Sequence, residues 1–305
     1  MVVVFLLLGI VFLLIGGDLL VKSSAALAAK FSVSPFLIGI TVVSFGTSAP
    51  ELLVSLNAAL QGSTGIAMGN VIGSNIANIA LVLGLTILIR PINVDSKRYL
   101  FSWLIMLVAS FMFYGFSIDG IIDTIDGLFF ISGLILFISL SIRYRHSSIN
   151  EEEIEESINT RLIPLYFVLG AAGLYFGSEF IVANSVIIAK YFGISEFVIG
   201  ITIVALGTSL PELVTSVIAI LKGQTSISIG NLIGSNIFNV FAVLGITSLV
   251  RPLGADTSLL SSDLPTMLGI TLLLGLFLFI SRKLRRIEGV LLISIYLIYI
   301  VFSIS

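Results

Sequence analysis

Apolar residues run along this chain in long blocks separated by short polar punctuation, and the blocks have the length of bilayer crossings. About 20 consecutive apolar residues cover the hydrocarbon core of a membrane as a helix. Ten such stretches can be drawn, at 2–22, 36–60, 65–89, 99–116, 124–142, 162–182, 196–221, 226–250, 264–281 and 288–304. The pattern predicts an all-α polytopic membrane protein with ten transmembrane helices. One segment alone is strongly polar, H-S-S-I-N-E-E-E-I-E-E-S-I-N-T at 146–160, and an acidic run of this kind reads as a solvated linker. It divides the chain into 1–145 and 161–305, with five spans predicted in each.

The two parts repeat one another. Residues 34–55 and 195–216 are identical at 14 of 22 positions at a constant offset of 161, and 69–84 and 230–245 at 11 of 16 with the same offset. Gly16, Asp18 and Pro91 fall on Gly177, Glu179 and Pro252, and one inserted residue later I-D-G at 125–127 falls on I-E-G at 287–289. Five spans is an odd number, so the second copy enters the bilayer in the opposite direction, the inverted-topology repeat of secondary transporters. Lysine and arginine gather on the cytoplasmic side of membrane proteins. With the N-terminus outside, thirteen of the fifteen Lys and Arg residues fall at cytoplasmic ends, and Lys190 and Arg251 fall outside. This puts both termini outside and the linker in the cytoplasm.

Composition agrees with the pattern: 57% of the 305 residues are hydrophobic and 10% charged, against about a quarter charged in soluble domains. The partner that this composition demands is the lipid bilayer; nothing calls for nucleic acid or for an obligate protein partner. The chain has no cysteine, which excludes disulfides, thiolate metal sites and thiol catalysis. Its one histidine, His146, stands beside Arg145 in the polar segment and reads as a solvated loop residue. The first apolar block lacks a basic leader and a small-residue cleavage site and has a counterpart in the sixth block, so it is expected to be a helix of the mature protein.

Chemistry concentrates in G-T-S-A-P-E at 46–51 and G-T-S-L-P-E at 207–212, both inside predicted spans. Locally each reads as a helix start, with Ser48 and Glu51 forming a capping box and Pro50 in the first turn. A helix that starts in mid-span is a broken helix, and Pro50 and Pro211 offer no N–H to the carbonyls of Gly46 and Gly207. Carbonyls freed at that depth can coordinate cations where they line a wet cavity. Glu51 and Glu212 carry the sharper signal, because an intramembrane carboxylate marks an ion or proton pathway. Spans two, three, seven and eight hold no Lys or Arg away from their ends, so the counter-charge is a bound cation. The following helices supply a polar stripe at i, i+4, i+8: Asn70, Ser74 and Asn78, and again Asn231, Ser235 and Asn239. With Thr47 and Thr208 the inventory is all oxygen, which suits hard cations such as Ca²⁺.

These motifs resemble the α1 and α2 repeats of the sodium/calcium exchanger family, within the cation/calcium exchanger superfamily, in its prokaryotic form without a large domain in the central loop. The resemblance implies two inverted five-helix repeats with broken helices at the midplane. It implies that Glu51 and Glu212 hold Ca²⁺ centrally, helped by Thr47 and Thr208. Ser74 and Ser235, with main-chain carbonyls near Ser44 and Ala205, would line flanking Na⁺ sites, and Ser48 and Ser209 would lie close to the ions. Asn78 matches the family's asparagine, whereas many exchangers carry an aspartate where this chain has Asn239. The first and sixth helices resemble the pair that slides over the other eight during alternating access. The expected function is therefore antiport of Na⁺ against Ca²⁺, with both ions bound as substrates and no cofactor. A proton- or K⁺-coupled exchanger and a cation channel are the alternatives, and an enzyme is not expected, since no His, Cys or paired aspartate offers a nucleophile or hydrolytic metal site.

Overall fold

The computed structural model describes residues 1–93, 96–143, 159–193, 203, 205–255, 259–281 and 283–304. In chain order the helices are α1 (Val2–Lys30), α2 (Pro35–Thr47), α3 (Ala49–Leu60), α4 (Thr64–Ile89), α5 (Ser96–Ser117), α6 (Thr124–Arg143), α7 (Ile163–Tyr191), α8 (Ala205–Thr208), α9 (Leu210–Leu221), α10 (Thr225–Val250), α11 (Leu259–Ile280) and α12 (Arg286–Ile304). Eight of them are long and apolar enough to cross a membrane, and α2 with α3 makes a ninth span bent by 40°. The span predicted at 196–221 begins outside the described residues, and α9 is its second part. His146 and nearly all of the predicted linker also lie outside them.

The helices sort by what surrounds them. In α4 and α10, 72% and 83% of the apolar stretch is buried, against 17–39% in the other long helices. They form the centre, and the rest wrap them with apolar faces turned outward, such as Val3, Leu7 and Leu14 of α1 and Leu297, Ile298 and Val301 of α12. Exposed apolar bands of this length suit a lipid solvent, in which every backbone group must be satisfied inside the helix.

Helices α1 and α7 have 29 residues each, about 43 Å at 1.5 Å per residue and longer than the roughly 30 Å hydrocarbon core. Hydropathy alone placed their ends at 22 and 182. They continue because Ser23, Ser24, Ala25 and Ala28, and likewise Asn184 and Ala189, are buried against protein rather than lipid. The two helices cross antiparallel, Gly9 lying at Gly177 and Ile181, and Gly16 at Gly170 and Leu174. A Cβ on Gly16 would stand 2.7 Å from the backbone nitrogen of Leu174, and one on Gly170 would stand 2.7 Å from that of Leu20. Glycine is what permits the two backbones to touch.

Several helices contain π turns, which free carbonyls and often mark functional sites: Gly39–Val43 in α2, Ala77–Leu83 in α4 and Asn239–Leu244 in α10. In α2 the Ser44 hydroxyl follows the wider turn, donating to the Gly39 carbonyl at 2.7 Å. The helix starts are also built twice over. Asp126 accepts from the backbone of Asp123 at 3.0 Å, and Glu288 from that of Arg285 at 2.9 Å. Two-residue strands tie the loops together, β1 (Ile92–Asn93) with β4 (Lys283–Leu284) and β2 (Ile121–Ile122) with β3 (Leu253–Gly254), both antiparallel. The small-residue pairs in the stripes are used unequally among the described residues. Gly230 and Gly234 sit against the α2 backbone at Phe36 and Ile40, while Gly69 and Gly73 have nothing within 4 Å; the residues matching Phe36 and Ile40, 197 and 201, lie outside the description.

Candidate ion-binding site

The two helix breaks fall at the repeated motif. Helices α3 and α9 each begin with a proline in the first turn, followed directly by Glu51 and Glu212. That position puts both carboxylates at the positive end of a helix. Both are fully buried and lie within electrostatic reach of one another. Neither oxygen of Glu51, and not Oε2 of Glu212, has a hydrogen-bond partner. The salt bridges among the described residues are at Asp18 instead. Taking a carboxylate out of water costs several kcal/mol even after relaxation, so this pair requires a cation or a proton.

The capping box expected between Ser48 and Glu51 does not form. Ser48 stands at the N-cap of α3 with φ −84° and ψ 5° and makes no side-chain cap bond. Its hydroxyl donates to Oε1 of Glu212 at 3.3 Å instead, because packing of the two halves brings the opposite carboxylate to this helix end. Ser209, the counterpart, has a buried hydroxyl without a partner.

Each break is stitched to the central helix of the other half. Thr47 donates to Oδ1 of Asn231 at 2.9 Å and lies 3.2 Å from the Ser235 hydroxyl. Thr208 donates to Oδ1 of Asn70 at 3.3 Å and lies 3.4 Å from the Ser74 hydroxyl. Asn70 in turn donates to Ser55 at 2.9 Å, and Asn231 to Ser216 at 3.1 Å. The hydroxyls of Thr47, Ser48 and Ser235 face the Glu212 carboxyl, and that of Ser74 faces Glu51. Asn78 is buried with both amide atoms unpartnered, and Asn239 is buried with Oδ1 unpartnered. The Ser44 hydroxyl is committed to the carbonyls of Gly39 and Asn231, so only its own carbonyl, which already accepts from Ser48 N at 2.9 Å, faces any further role. Ala205 opens α8, and its side chain lies outside the description.

Several residues of the site are not in the predicted ligand set. Asn70 and Asn231, read only as part of the stripe, bridge the halves. Ser178 of α7 donates to the Gly207 carbonyl at 2.5 Å, the carbonyl left without a helical donor by Pro211. Asn75 accepts from Asn239 at 3.1 Å. A usable signal for Asn75 was present: an asparagine identical in both copies of G-S-N-I, inside an apolar helix. Asp18, which falls on Glu179 in the repeat, is ion-paired with Lys22 at 2.8 Å and with Lys222.

Comparison with known proteins bears on the chain as a whole. A model of the family described as sodium/calcium exchanger protein matches residues 1–143 and 162–305. The sodium/calcium exchanger MaX1 of Methanosarcina acetivorans is 34% identical over 340 residues, covering 97% of this chain and 96% of its own. Inner membrane protein YrbG of Escherichia coli is 35% identical over 281 residues, covering 89% and 86%. Among solved structures, the sodium-calcium exchanger NCX_Mj soaked with 10 mM Na⁺ and no Ca²⁺ superposes with a TM-score of 0.87 at 36% identity, covering 99% of each chain. Other crystals of that exchanger were soaked with Ca²⁺ or Sr²⁺. Matches that run nearly end to end, joined to a buried carboxylate pair at the helix breaks, place this integral membrane protein in the sodium/calcium exchanger family of cation/Ca²⁺ antiporters.

Proposed function

We propose that the protein exchanges Na⁺ for Ca²⁺ by alternating access, with one Ca²⁺ held between Glu51 and Glu212. The observation that carries this reading is a fully buried carboxylate pair with three oxygens lacking any partner. Two carboxylates balance the charge of one Ca²⁺ or of two Na⁺. Thr47 and Thr208 complete the central site. Ser235 with the Ser44 carbonyl, and Ser74 with the Ala205 carbonyl, flank it for Na⁺, the pairing that the contacts of Thr47 with Ser235 and of Thr208 with Ser74 support. Ser48, Ser209, Asn78 and Asn239 supply the remaining oxygens. The ions are substrates, and no cofactor takes part.

The layout we assign is two inverted five-helix repeats, 1–145 and 161–305, making ten spans with both termini outside and the linker cytoplasmic. Support comes from the antiparallel crossing of α1 and α7 and from hydrogen bonds that recur at an offset of 161 residues. The glycine-lined α1–α7 pair is the element that slides. Because the chain lacks native cysteine, single reporters test the orientation: Gln61→Cys and Asp119→Cys are expected to react with impermeant reagent from outside, and Ser147→Cys only from the cytoplasm.

Ca²⁺ flux in proteoliposomes, with Na⁺, K⁺ and H⁺ gradients imposed one at a time, tests the coupling. Ca²⁺ is expected to move against a Na⁺ gradient alone. Movement driven by K⁺ or H⁺ in its place would assign the protein to the corresponding exchanger type, and flux that needs no counter-ion would make it a channel. Neutral Asn78 and Asn239 on the stripes speak against proton coupling. Three Na⁺ would leave one positive charge on the site, so the same assay at clamped potentials separates two-for-one from three-for-one exchange.

A further inference from the structure

Asn75 in α4 lies one residue beyond Ser74, turned about 100° from the stripe that faces the ions. It is 2% exposed, yet its amide is fully used. Nδ2 donates to the main-chain carbonyl of Asn236 at 3.4 Å and to Sδ of Met267 at 3.7 Å. Oδ1 accepts from Nδ2 of Asn239 at 3.1 Å. A side-chain amide can turn over and exchange its oxygen for its NH₂, so the order of such a relay has to be set somewhere. Here it is set at the far end. A peptide carbonyl and a thioether can only accept, so Asn75 must offer them its NH₂ and keep its oxygen for Asn239. Asn239 must then spend its NH₂ on Asn75, which leaves Oδ1 free. That oxygen is buried and unpartnered, on the residue one helical turn beyond Ser235, whose hydroxyl meets Thr47.

We propose that Asn75 is a positioning residue for the cation site, fixing the Asn239 amide so that its oxygen, and not its NH₂, faces the ions. The inference rests on the reading of Asn239 as part of that site. The other half lacks the device. Asn236, at the matching position, donates to the Leu232 carbonyl of its own helix at 2.7 Å, and Asn78 has no partner at either amide atom. A cation accepts an oxygen and is repelled by an NH₂, so an amide free to turn over binds it more weakly than one held in place.

The test is a double-substitution cycle read by equilibrium binding of radioactive Ca²⁺ to the purified protein. Asn75→Leu is expected to weaken Ca²⁺ binding about tenfold or more, the range of a lost hydrogen bond to a charged group. In an Asn239→Asp background the same leucine is expected to weaken it less than about twofold, within the scatter of independent sites, because a carboxylate presents oxygen either way round. A merely structural role would lower affinity and ion-free melting temperature alike in both backgrounds. Equal losses in the two backgrounds, or no loss in either, overturn the proposal. Should Asn75→Leu not fold, Asn75→Ser, too short to reach Asn239, carries the same comparison. Glu51→Gln serves as the control for the site itself: if it still binds Ca²⁺ as wild type does, the ion site is misassigned, whereas loss there with no background dependence at Asn75 removes only the positioning role.

Discussion

At the helix breaks the threonine–asparagine and asparagine–serine bonds come in matched pairs, with Ser48 to Glu212 the exception, since Ser209 has no partner. Thr47 to Asn231 answers Thr208 to Asn70, and Asn70 to Ser55 answers Asn231 to Ser216. Around α1 and α7 the matching fails. Ser178 of α7 holds the Gly207 carbonyl, while the position in α1 that corresponds to it is Gly17. Asp18 of α1 is ion-paired with Lys222, while the corresponding residues are Glu179 and Gln61. The contrast has a physical reading. A site offered in turn to both sides of a membrane needs similar ligands from both directions. The balance between the two states is then set only by contacts that differ between the sides, since a contact equal in both shifts nothing.

The largest effect is expected at the matched centre. Glu51→Gln and Glu212→Gln each remove one of the two charges proposed to face the divalent ion in a desolvated site, where Coulomb terms are strongest. Each is expected to bring Ca²⁺ exchange in proteoliposomes to background while leaving a folded protein. The two losses should be alike. A loss confined to one of them would mean that the symmetry of bonds is not a symmetry of function.

The α1–α7 crossing comes next. Gly16→Leu and Gly170→Leu would drive side chains into backbone atoms that cannot yield, and overpacking of this kind costs about 1–3 kcal/mol or more. Exchange is expected to fall at least about fivefold in both, as such a cost implies. Gly17→Ala should be milder, because its Cβ would meet the ends of the Ile218, Val214 and Leu174 side chains rather than backbone. Melting temperature and exchange rate, measured together, separate misfolding from a blocked slide.

Much of this was legible in the chain because bilayer helices leave few choices. Long apolar blocks have one secondary structure, and Glu51 and Glu212, being charged, announced themselves. The α2–α3 break was readable because Pro50 cannot donate. What stayed hidden depends on partners distant in sequence. Ser48 looked like a cap for its own helix, and only tertiary packing shows that its hydroxyl belongs to Glu212, 164 residues away. Asn75 lay off the stripe, so periodicity set it aside, and its role arises from a carbonyl in α10. Polar residues such as Ser23 and Asn184 shortened the predicted first and sixth spans, because hydropathy cannot distinguish a lipid neighbour from a protein one.

At the unmatched rim, Ser178→Ala would leave the Gly207 carbonyl without a donor. An unsatisfied buried carbonyl costs about 1–3 kcal/mol, and the expected result is a lower ion-free melting temperature with partial loss of exchange. Ser178→Thr, which keeps a hydroxyl, should remain close to wild type. If alanine and threonine behave alike, the bond to Gly207 is incidental to both stability and transport.

The smallest effect is expected at the Asp18–Lys222 pair, and it is the one that bears most directly on the difference between the sides. The two side chains are 36% and 31% exposed, and an exposed ion pair contributes about 0–1 kcal/mol, at most roughly a fivefold change in a population. Its position makes even that informative, because it joins α1, half of the pair proposed to slide, to the end of α9. Lys222→Gln should favour the state in which these helices part. Gln224, two residues on, is 6% exposed with its side-chain oxygen unpartnered, so Gln224→Cys reports that opening through its labelling rate with an impermeant thiol reagent on the cytoplasmic side. We expect Lys222→Gln to raise the rate by up to about fivefold. Asp18→Asn should raise it similarly, and the double substitution no further, since both remove the same link between α1 and α9, the Asp18–Lys22 pair lying within α1. The increase should fade at about 1 M choline chloride, where the screening length is about 3 Å. Glu179→Gln, which meets no lysine at the matching position, should leave the rate unchanged. An equal increase from Glu179→Gln would show that removing any rim charge loosens the helices, and the asymmetry would then have to lie elsewhere, with the Ser178 bond to Gly207 the next contact at the rim to test.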